Sequence, residues 1–365
     1  MADKITNYKC PACGGPLQFS NETQDLMCEY CESHFPVAEV EAMFEQKNAA
    51  AVAAAEKQTD TAWEMEGGEG WGADGDKMSA YSCPSCGAEL ICDKTTAATS
   101  CPYCGNPSIV PGQFDGALKP DLVLPFRLDK EAAKAALRNH YKGKKLLPAA
   151  FADENHIEEI KGVYVPFWLF DGKAEGDLQY EGTRSHTRET HNERITTTEH
   201  YSIRRAGTVE FEKIPVDASS KMPDAHMDAI EPFDYVDLKP FSMAYLPGFL
   251  ADKYDVSVEG SAARVQERIE NTVREALRES CVGYETVNYV GGSIGVERGK
   301  VHYALLPVWM LSTKWNGQNF LFAMNGQTGK LIGDLPIDKG RFWKYFFLTA
   351  GIVAAVVTAA ATVLL

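Results

Sequence analysis

Residues 10–31 read CPACGGPLQFSNETQDLMCEYC, and residues 83–104 read CPSCGAELICDKTTAATSCPYC. Each stretch contains two C-x2-C pairs separated by fourteen residues, and the second stretch repeats the spacing of the first at an offset of 73. A C-x2-C turn presents two thiolates to one face of an ion, and two such turns close a tetrahedral four-thiolate site. The repeat therefore predicts two zinc-binding modules of the ribbon type.

We predict that eight cysteines hold two structural zinc ions. The predicted ligands are Cys10, Cys13, Cys28, Cys31, Cys83, Cys86, Cys101 and Cys104. Four thiolates leave no open coordination position, which is typical of structural rather than catalytic sites. Modules this small cannot bury a core of their own, so the metal must supply folding free energy on the order of 10 kcal/mol. Between the first two knuckles, Leu17–Phe19 and Leu26–Met27 flank turn-prone residues and predict a short hairpin.

Other roles for the cysteines have less support from the pattern. The segment Cys101-Pro102-Tyr103-Cys104 is by itself typical of a glutaredoxin-like dithiol, but it completes a repeated four-cysteine pattern and no thioredoxin-like βαβ unit surrounds it. Disulfides require an oxidising compartment. Cys92 and Cys281 are left over, and we interpret both as buried packing thiols.

The C-terminal stretch predicts a membrane anchor. Residues 345–365 read YFFLTAGIVAAVVTAAATVLL, a run that contains no charged side chain. At ~1.5 Å per residue, a helix of this length crosses a hydrocarbon core of about 30 Å. Lys339, Arg341 and Lys344 precede it together with aromatic residues typical of a membrane interface. The alternative interpretation is a buried core helix, which this basic and aromatic flank disfavours.

The anchor also predicts where the rest of the chain lies. By the positive-inside rule, the residues before the anchor face the cytoplasm. The N-terminal sequence MADKITNYKC contains no apolar run, so no signal peptide is expected. We therefore predict a single-pass protein of the cell membrane with its N-terminal bulk in the cytoplasm, where reducing conditions favour zinc thiolates over disulfides.

The segment between the two cysteine sets is acidic. Val37–Trp63 is Ala-rich and predicts a helix, and Glu64–Lys77 (EMEGGEGWGADGDK) predicts a flexible linker. Residues 39–77 contain ten acids and three bases, so they carry −7 of the chain's net charge of −15. The predicted domains are a first ribbon (1–36), the Ala-rich helix (37–63), the linker (64–80), a second ribbon (81–110), an α+β domain (120–338) and the anchor (342–365).

The large domain is predicted to be α+β with a mainly antiparallel sheet. Asp129 is the expected N-cap of a helix to about Tyr141, and Ala262–Ser280 has the apolar periodicity of a second helix. Asn316-Gly317 separates two strand-like runs, as in a hairpin. Val165-Pro-Phe-Trp-Leu is matched by Leu306-Pro-Val-Trp-Met at an offset of 141, which suggests a duplicated helix-then-sheet unit.

The sequence shows no catalytic motif, so we predict that the protein is not an enzyme. The segment Gly326–Lys330 resembles part of a phosphate-binding loop, but it lacks the first glycine and the Ser or Thr after the lysine. His186, His191 and His200 lie among Thr and Arg on predicted exposed strands, a poor setting for a metal site. An enzyme hidden in residues 120–338 is the most distant of the function classes considered.

The arrangement resembles a family of bacterial membrane proteins that have two zinc ribbons of the transcription factor IIB type, a large domain and one C-terminal span. The resembling residues are Cys10–Gly15 with Cys28 and Cys31, Cys83–Gly87 with Cys101 and Cys104, and the anchor at 345–365. The resemblance implies a membrane anchor for PspA-type envelope-stress proteins and SPFH-domain scaffold proteins. Similar ribbons are also found under the label of primosomal helicases, but this sequence has no Walker A loop.

Two function classes follow from these features. The first is a membrane-tethered, cytoplasm-facing adaptor or scaffold whose ribbons bind a protein partner, and the resemblance implies a role in the membrane or envelope-stress response. The candidate contact residues are Phe19, Tyr30, Phe35, Tyr81 and Tyr103, all of which could equally pack over the metal. The alternative is a membrane-tethered regulator of replication or transcription that binds nucleic acid. Residues 1–35 contain two lysines against five acids, which argues against nucleic acid as the partner.

Overall fold

The computed structural model describes residues 8–364, apart from residues 9, 14–16, 21–22, 29, 56–61, 69, 95, 97–99, 107–108, 113–117, 149–156 and 190–192. The chain divides into two compact units, each described by itself below. The first unit contains residues 1–64, 169–215 and 261–301, and the second contains residues 65–168, 216–260 and 302–365.

The described helices are α1 (Val37–Ala55), α2 (Lys130–Tyr141), α3 (Asp224–Ile230), α4 (Ala262–Glu279) and α5 (Lys339–Leu364). The described strands are β1 (Leu17–Ser20), β2 (Asp25–Cys28), β3 (His34–Phe35), β4 (Glu64–Glu66), β5 (Met78–Ser82), β6 (Glu89–Asp93), β7 (Val110–Gly112), β8 (Leu122–Val123), β9 (Lys161–Glu189), β10 (Arg194–Asp217), β11 (Lys239–Pro240), β12 (Leu250–Asp252), β13 (Thr286–Trp315), β14 (Gln318–Asn325) and β15 (Leu331–Gly333).

The N-terminal part of the first unit is a three-stranded antiparallel sheet followed by a helix. Strand β1 pairs with β2 from Leu17↔Cys28 to Ser20↔Asp25, and β3 pairs with the opposite edge of β2, which is the central strand. The predicted hairpin is therefore confirmed, although residues 21–22 of its turn lie outside the described part. Helix α1 ends at Ala55, so its described extent is shorter than the predicted helix to Trp63.

Few apolar side chains are buried among the described residues of this small sheet and α1. Val40 of α1 is fully buried, and the ring of Phe44 packs edge-on against Tyr8 with centroids 5.3 Å apart. Leu26 of β2 is also buried. The two buried aliphatic side chains and the ring pair among the described residues contribute only a few kcal/mol of hydrophobic stabilisation, so a metal ion held by the cysteine cluster would add much to the stability of the module.

The remainder of the first unit packs α4 against the strand residues that the unit contains. The apolar face predicted for this helix is confirmed, since Val265, Ile269, Val273 and Leu277 are all buried. Gly176 of β9 permits the close approach, because a Cβ at that position would lie 2.9 Å from Val273 Cγ1. The hydroxyl of Tyr180 donates a 2.7 Å hydrogen bond to the Arg274 carbonyl and ties strand to helix.

The second unit is built on a large sheet with the strand order β11-β8-β13-β9-β12-β6-β5-β7, to which β14 and β15 are added beside β13. Most pairs are antiparallel, but β8 pairs with β13 and β12 pairs with β9 in parallel. The predicted α+β class with a mainly antiparallel sheet is therefore confirmed, with two short parallel pairs at its centre.

The hairpin between β13 and β14 follows the predicted turn. Asn316 and Gly317 both have positive φ, at 48° and 79°, which is the conformation of the two central residues in a type I′ turn. The pairing then runs without interruption from Trp315↔Gln318 to Val308↔Asn325.

The two parallel pairs show that the second unit contains a duplicated motif. The matched pairs are Leu122↔Ala304 with Val123↔Leu305, and Leu250↔Val163 with Ala251↔Tyr164. We call β8 and β12 the short strands and β9 and β13 the long strands. The paired residues of the two short strands differ in number by 128, and those of the two long strands differ by 141. Each short strand therefore pairs at the same register with the long strand of the opposite repeat, so the two repeats are interlaced.

The acceptors of two backbone hydrogen bonds are related by the same offset of 141. The N–H of Gly326 donates to Pro307 O at 2.8 Å, and the N–H of Ala218 donates to Pro166 O at 2.8 Å. Pro307 and Pro166 are the central prolines of the matched sequence segments. The sequence similarity at an offset of 141 thus marks the core of both repeats.

The acidic glycine-rich segment, which we predicted to be a flexible linker, contains regular secondary structure and a buried side chain where the structure describes it. Residues 72–77 form a 3₁₀ helix. Trp71 is buried, donates from Nε1 to Leu118 O at 3.2 Å and packs edge-on against Phe241 with centroids 5.5 Å apart. One buried indole with a satisfied N–H outweighs the local preference of glycine for disorder.

Candidate metal centres

The first centre lies at the end of strand β2, whose last residue is Cys28. The Sγ atoms of Cys10, Cys13, Cys28 and Cys31 all lie within 4.8 Å of one another. Cys10 Sγ is 3.5 Å from Cys31 Sγ, and Cys13 Sγ is 3.4 Å from Cys28 Sγ. Four sulfurs bound at about 2.3 Å around a tetrahedral ion would lie about 3.8 Å apart. The donor set and its spacing therefore fit a closed four-thiolate metal site.

The second centre repeats this geometry in the second unit. The Sγ atoms of Cys83, Cys86, Cys101 and Cys104 also lie within 4.8 Å of one another. The separations between Cys83 and Cys104 and between Cys86 and Cys101 are both 3.6 Å. All eight cysteines singled out in the sequence are thus brought together in the two predicted sets of four, and each set can hold a metal ion.

Three knuckles share one backbone turn, and Gly14, which follows the remaining knuckle, lies outside the described residues. After each second cysteine, the next residue donates its N–H to the carbonyl of the first cysteine, and it does so from a positive φ. These bonds are Gly87 N to Cys83 O at 2.8 Å, Gly105 N to Cys101 O at 3.1 Å and Glu32 N to Cys28 O at 2.9 Å. Their φ values are 70°, 68° and 56°. Glycine adopts a positive φ freely, whereas Glu32 adopts it at a cost of about 1 kcal/mol of conformational free energy.

Hydrogen bonding to sulfur favours the thiolate at one cysteine of each centre. The side chain and then the backbone N–H of Ser33 lower the pKa of Cys31 to about 6. Burial opposes ionisation of Cys83, but hydrogen bonds from the backbone of Cys86 and Ser85 lower the pKa of that thiol to about 7. Thiolates are the form that binds metal.

The two centres differ in exposure and in attachment. Cys13 and Cys31 of the first centre are exposed, whereas Cys83, Cys101 and Cys104 of the second are buried. We predicted the second ribbon as a separate module at 81–110, but its hairpin strand β6 pairs with β12 through Ala251↔Ile91. Pairing between strands distant in sequence leaves no local signal, so sequence reasoning missed this continuity.

A buried carboxyl lies beside the second centre. Asp252 of β12 is 1% exposed, and its Oδ2 accepts a 2.6 Å hydrogen bond from the hydroxyl of Ser219. Burial raises the pKa of Asp252 to about 7. The pKa of Tyr103, which lies between the last two cysteine ligands, is also raised, first by burial and then by the charge of Asp252.

The aromatic residues proposed as contacts fall into two groups. Phe19 is 50% exposed and Tyr30 is 76% exposed, so both are available at the surface of the first module. Phe35 and Tyr81 are partly buried. Tyr103 is buried and packs within the second unit. Only the first centre therefore presents aromatic side chains from the proposed set at its surface, among the residues described.

The two remaining cysteines, and the two described histidines of the three considered as metal ligands, lie near ordinary partners. The buried Cys92 thiol donates to Thr96 O at 3.1 Å, and the buried Cys281 thiol donates to Leu277 O at 3.4 Å, as expected of packing thiols. His200 Nδ1 lies 2.8 Å from Glu181 Oε1. His186 lies 3.9 Å from Glu199, and His191 lies outside the described residues.

The C-terminal helix has the length and composition of a membrane span. Among the described residues, α5 is the one helix long and apolar enough to cross a bilayer, over Lys339–Thr358, and this stretch is not buried in the protein. Phe342, Trp343 and Phe346 at its start are exposed. This absence of burial argues against the alternative interpretation as a core helix.

The comparisons with known proteins place the chain in a family. No family model matches the chain, and no solved structure matches it. The uncharacterized protein YdjG of Bacillus subtilis (strain 168) is 35% identical over 321 residues, which cover 74% of this chain and 94% of YdjG. Identity at this level over nearly the whole relative reflects common descent and a shared fold. The chain therefore belongs to the same protein family as YdjG.

Proposed function

We propose that this protein is a membrane-anchored adaptor whose first metal centre recruits a protein partner. The observation that carries the proposal is the exposed pair Phe19 and Tyr30 on a module whose four clustered cysteines could hold a metal ion. Exposed aromatic side chains on a rigid support are typical of binding hot spots, because they bury much apolar area at little entropic cost.

The charge of the module supports a protein as the partner. Residues 1–35 contain two lysines and five acids, and a site with four thiolates and one divalent ion adds a further −2. A surface that grips a phosphate backbone requires clustered Lys and Arg. Nucleic acid binding is therefore the alternative that the test below must separate from protein binding.

We propose zinc as the metal in both centres. Soft thiolate ligands in a closed tetrahedral set suit zinc, which has no geometric preference of its own and forms structural sites of this kind. The metal would hold the knuckles together in place of a larger apolar core.

The membrane assignment supports the adaptor function. Helix α5 would span the cell membrane once, with Phe342 and Trp343 at the interface. Lys339, Arg341 and Lys344 at its start support a cytoplasmic side for the residues before the helix by the positive-inside rule. The first metal centre would then meet partners in the cytoplasm.

The family resemblance described above suggests which partners to test first. PspA-type envelope-stress proteins and SPFH-domain scaffold proteins are the two candidate classes. Both are proposals for this chain. A single anchored protein that presents an exposed contact module could bring either class to the bilayer.

The test is recruitment of purified candidate partners by the full chain reconstituted in membranes. We expect the double variant Phe19→Ala/Tyr30→Ala to lose most of the captured partner, since hot-spot aromatics each contribute about 2 kcal/mol or more. Both side chains are at least half exposed, so their removal should leave the module folded. Metal content, measured alongside, verifies that the centre is intact.

A matched control is Val236→Ala, which removes another exposed apolar side chain, 86% exposed in the second unit. Capture should be unchanged in this variant. The proposal fails if the double variant captures as much partner as the unchanged protein. Salt-sensitive binding of DNA or RNA by the full chain, without partner capture, would instead support the nucleic-acid alternative.

A further inference from the structure

A basic surface surrounds the first turn of the anchor helix, and half of it comes from a distant part of the chain. Lys142, Lys144 and Lys145 follow α2, and all three are exposed. Lys339, Arg341 and Lys344 lie in the first turns of α5. Residues 138–145 and residues 339–344 contain no acid, in a chain whose net charge is −15. We refer to these six side chains as the basic surface.

Two hydrogen bonds hold the two halves of the basic surface together within the second unit. The N–H of Asp338 donates to Leu146 O at 2.9 Å, and Nη1 of Arg341 donates to Leu147 O at 2.6 Å. Because Leu147 is also buried, the loop after α2 is fixed against the start of the anchor. The lysines of that loop therefore lie at the level where a spanning helix leaves the bilayer.

Nearby acids do not neutralise these lysines. Asp338 accepts the N–H of Arg341 at 3.0 Å and lies 3.8 Å from its Nε. Asp334 lies 3.2 Å from His226 Nε2. Within the described residues, Lys144, Lys145 and Lys339 form no ion pair. Lys142 donates to the neutral side-chain oxygen of Asn139 at 2.7 Å.

A purely structural role accounts for only part of this charge. Basic residues in the last turn of a helix offset its dipole, and this effect decays within one turn. Arg138 and His140 already occupy the last turn of α2. Lys144 and Lys145 lie beyond the helix end, where they add no comparable stabilisation.

From this arrangement we propose that the basic surface binds the anionic phospholipid headgroups of the bilayer that holds α5. The inference rests on the proposed membrane anchor. Each basic side chain near an anionic surface contributes about 1 kcal/mol of binding free energy. The exposed apolar side chains of Ile337 and Trp343 are suited to the interfacial layer of the bilayer. The headgroup contacts would set the tilt of the second unit on the membrane.

The test compares the full chain in nanodiscs of phosphatidylcholine alone with discs that contain roughly one-third phosphatidylglycerol, an anionic lipid. Hydrogen exchange of residues 142–147 reports contact. We expect exchange there to slow about fivefold in anionic discs, the factor that ~1 kcal/mol implies. High salt should abolish the difference, since it screens exposed charges.

The variant Lys142→Gln/Lys144→Gln/Lys145→Gln should lose this lipid dependence. The matched control Lys94→Gln/Lys239→Gln/Lys300→Gln removes the same charge from exposed positions elsewhere and should retain it. Equal exchange in both kinds of disc for the unchanged protein would overturn the inference. If the membrane anchor itself is wrong, the chain will not incorporate into either disc, which distinguishes the two failures.

Discussion

The indole N–H of Trp309 donates a 3.0 Å hydrogen bond to the carbonyl of Leu128. Trp168, its counterpart at the offset of 141, donates in the same way to Val256 O at 2.9 Å. The two acceptors, Leu128 and Val256, are related by the offset of 128 that relates the short strands. Both tryptophans are buried. The two repeats therefore preserve a side-chain contact as well as a strand register, and each contact joins residues from opposite repeats.

We expect Trp168→Phe and Trp309→Phe to destabilise the protein by similar amounts. Each substitution leaves a carbonyl without its indole donor, at a cost of about 1–3 kcal/mol. Thermal unfolding of the purified protein measures the effect. Trp343→Phe is the control, because Trp343 is 52% exposed. The midpoint of thermal unfolding of this variant should equal that of the unchanged protein. A large shift for only one of the two buried positions would show that the contacts are not equivalent.

The two metal centres should release their ions at different rates. A chelator reaches the exposed Cys13 and Cys31 directly, whereas Cys101 and Cys104 are buried beside a strand paired into a large sheet. We expect two kinetic phases of equal amplitude, measured with a colorimetric zinc indicator. Cys13→Ser/Cys31→Ser should remove the fast phase alone. Release in a single phase from the unchanged protein would contradict this expectation.

Glu32→Gly should strengthen the first centre. Glu32 has a φ of 56°, and glycine relieves about 0.5–1 kcal/mol of strain in this region. Competition with a chelator of known affinity should show tighter metal binding at that centre by a few-fold. The converse variant, Gly87→Ala, places a Cβ at a φ of 70° and should weaken the second centre. Unchanged affinity in both variants would show that the knuckle turns tolerate either residue.

Asp252→Asn should make stability less dependent on pH. Burial raises the pKa of Asp252 from 3.8 to about 7 in the folded protein, so its contribution is complete below pH 3.8 and is lost as pH rises through 7. We expect the variant to gain stability over the unchanged protein at pH 8 relative to pH 5, by ~1 kcal/mol or more. Melting temperatures of the variant and the unchanged protein at pH 5 and pH 8 measure this difference in stability.

Asp255→Asn is a control of opposite sign. Despite partial burial, hydrogen bonds from Ser220 lower the pKa of Asp255, so its contribution is present above the unfolded pKa and is lost in acid. This variant should lose stability at pH 8. The assigned titrations are wrong if the stability of Asp252→Asn relative to the unchanged protein does not rise from pH 5 to pH 8, or if that of Asp255→Asn does not fall from pH 3 to pH 8.

Several features could be predicted because a local pattern encodes them. The cysteine spacing identified both clusters. The Asp129 cap is confirmed, since its side chain accepts from Ala132 N at 2.8 Å, and Asn316-Gly317 forms the predicted turn. These features depend on residues close in sequence or on metal chemistry of fixed geometry.

Other features depend on distant partners and could not be predicted. Trp71 orders the acidic segment only because Leu118 and Phe241 form its environment. The pKa of Asp252 depends on how β12 is buried against β6. The pairing of each short strand with the opposite repeat also has no signature in the sequence. The similarity between the repeats reveals the duplication, but it does not indicate whether a short strand pairs with its own repeat or with the other one.

The interlaced pairing of β8 with β13 and of β12 with β9 has an evolutionary consequence. A chain with only one repeat would have exposed both a short strand and the groove that receives it. Two such chains could satisfy each other by exchanging these strands. Joining two such chains in one polypeptide would give the interlaced arrangement of the second unit.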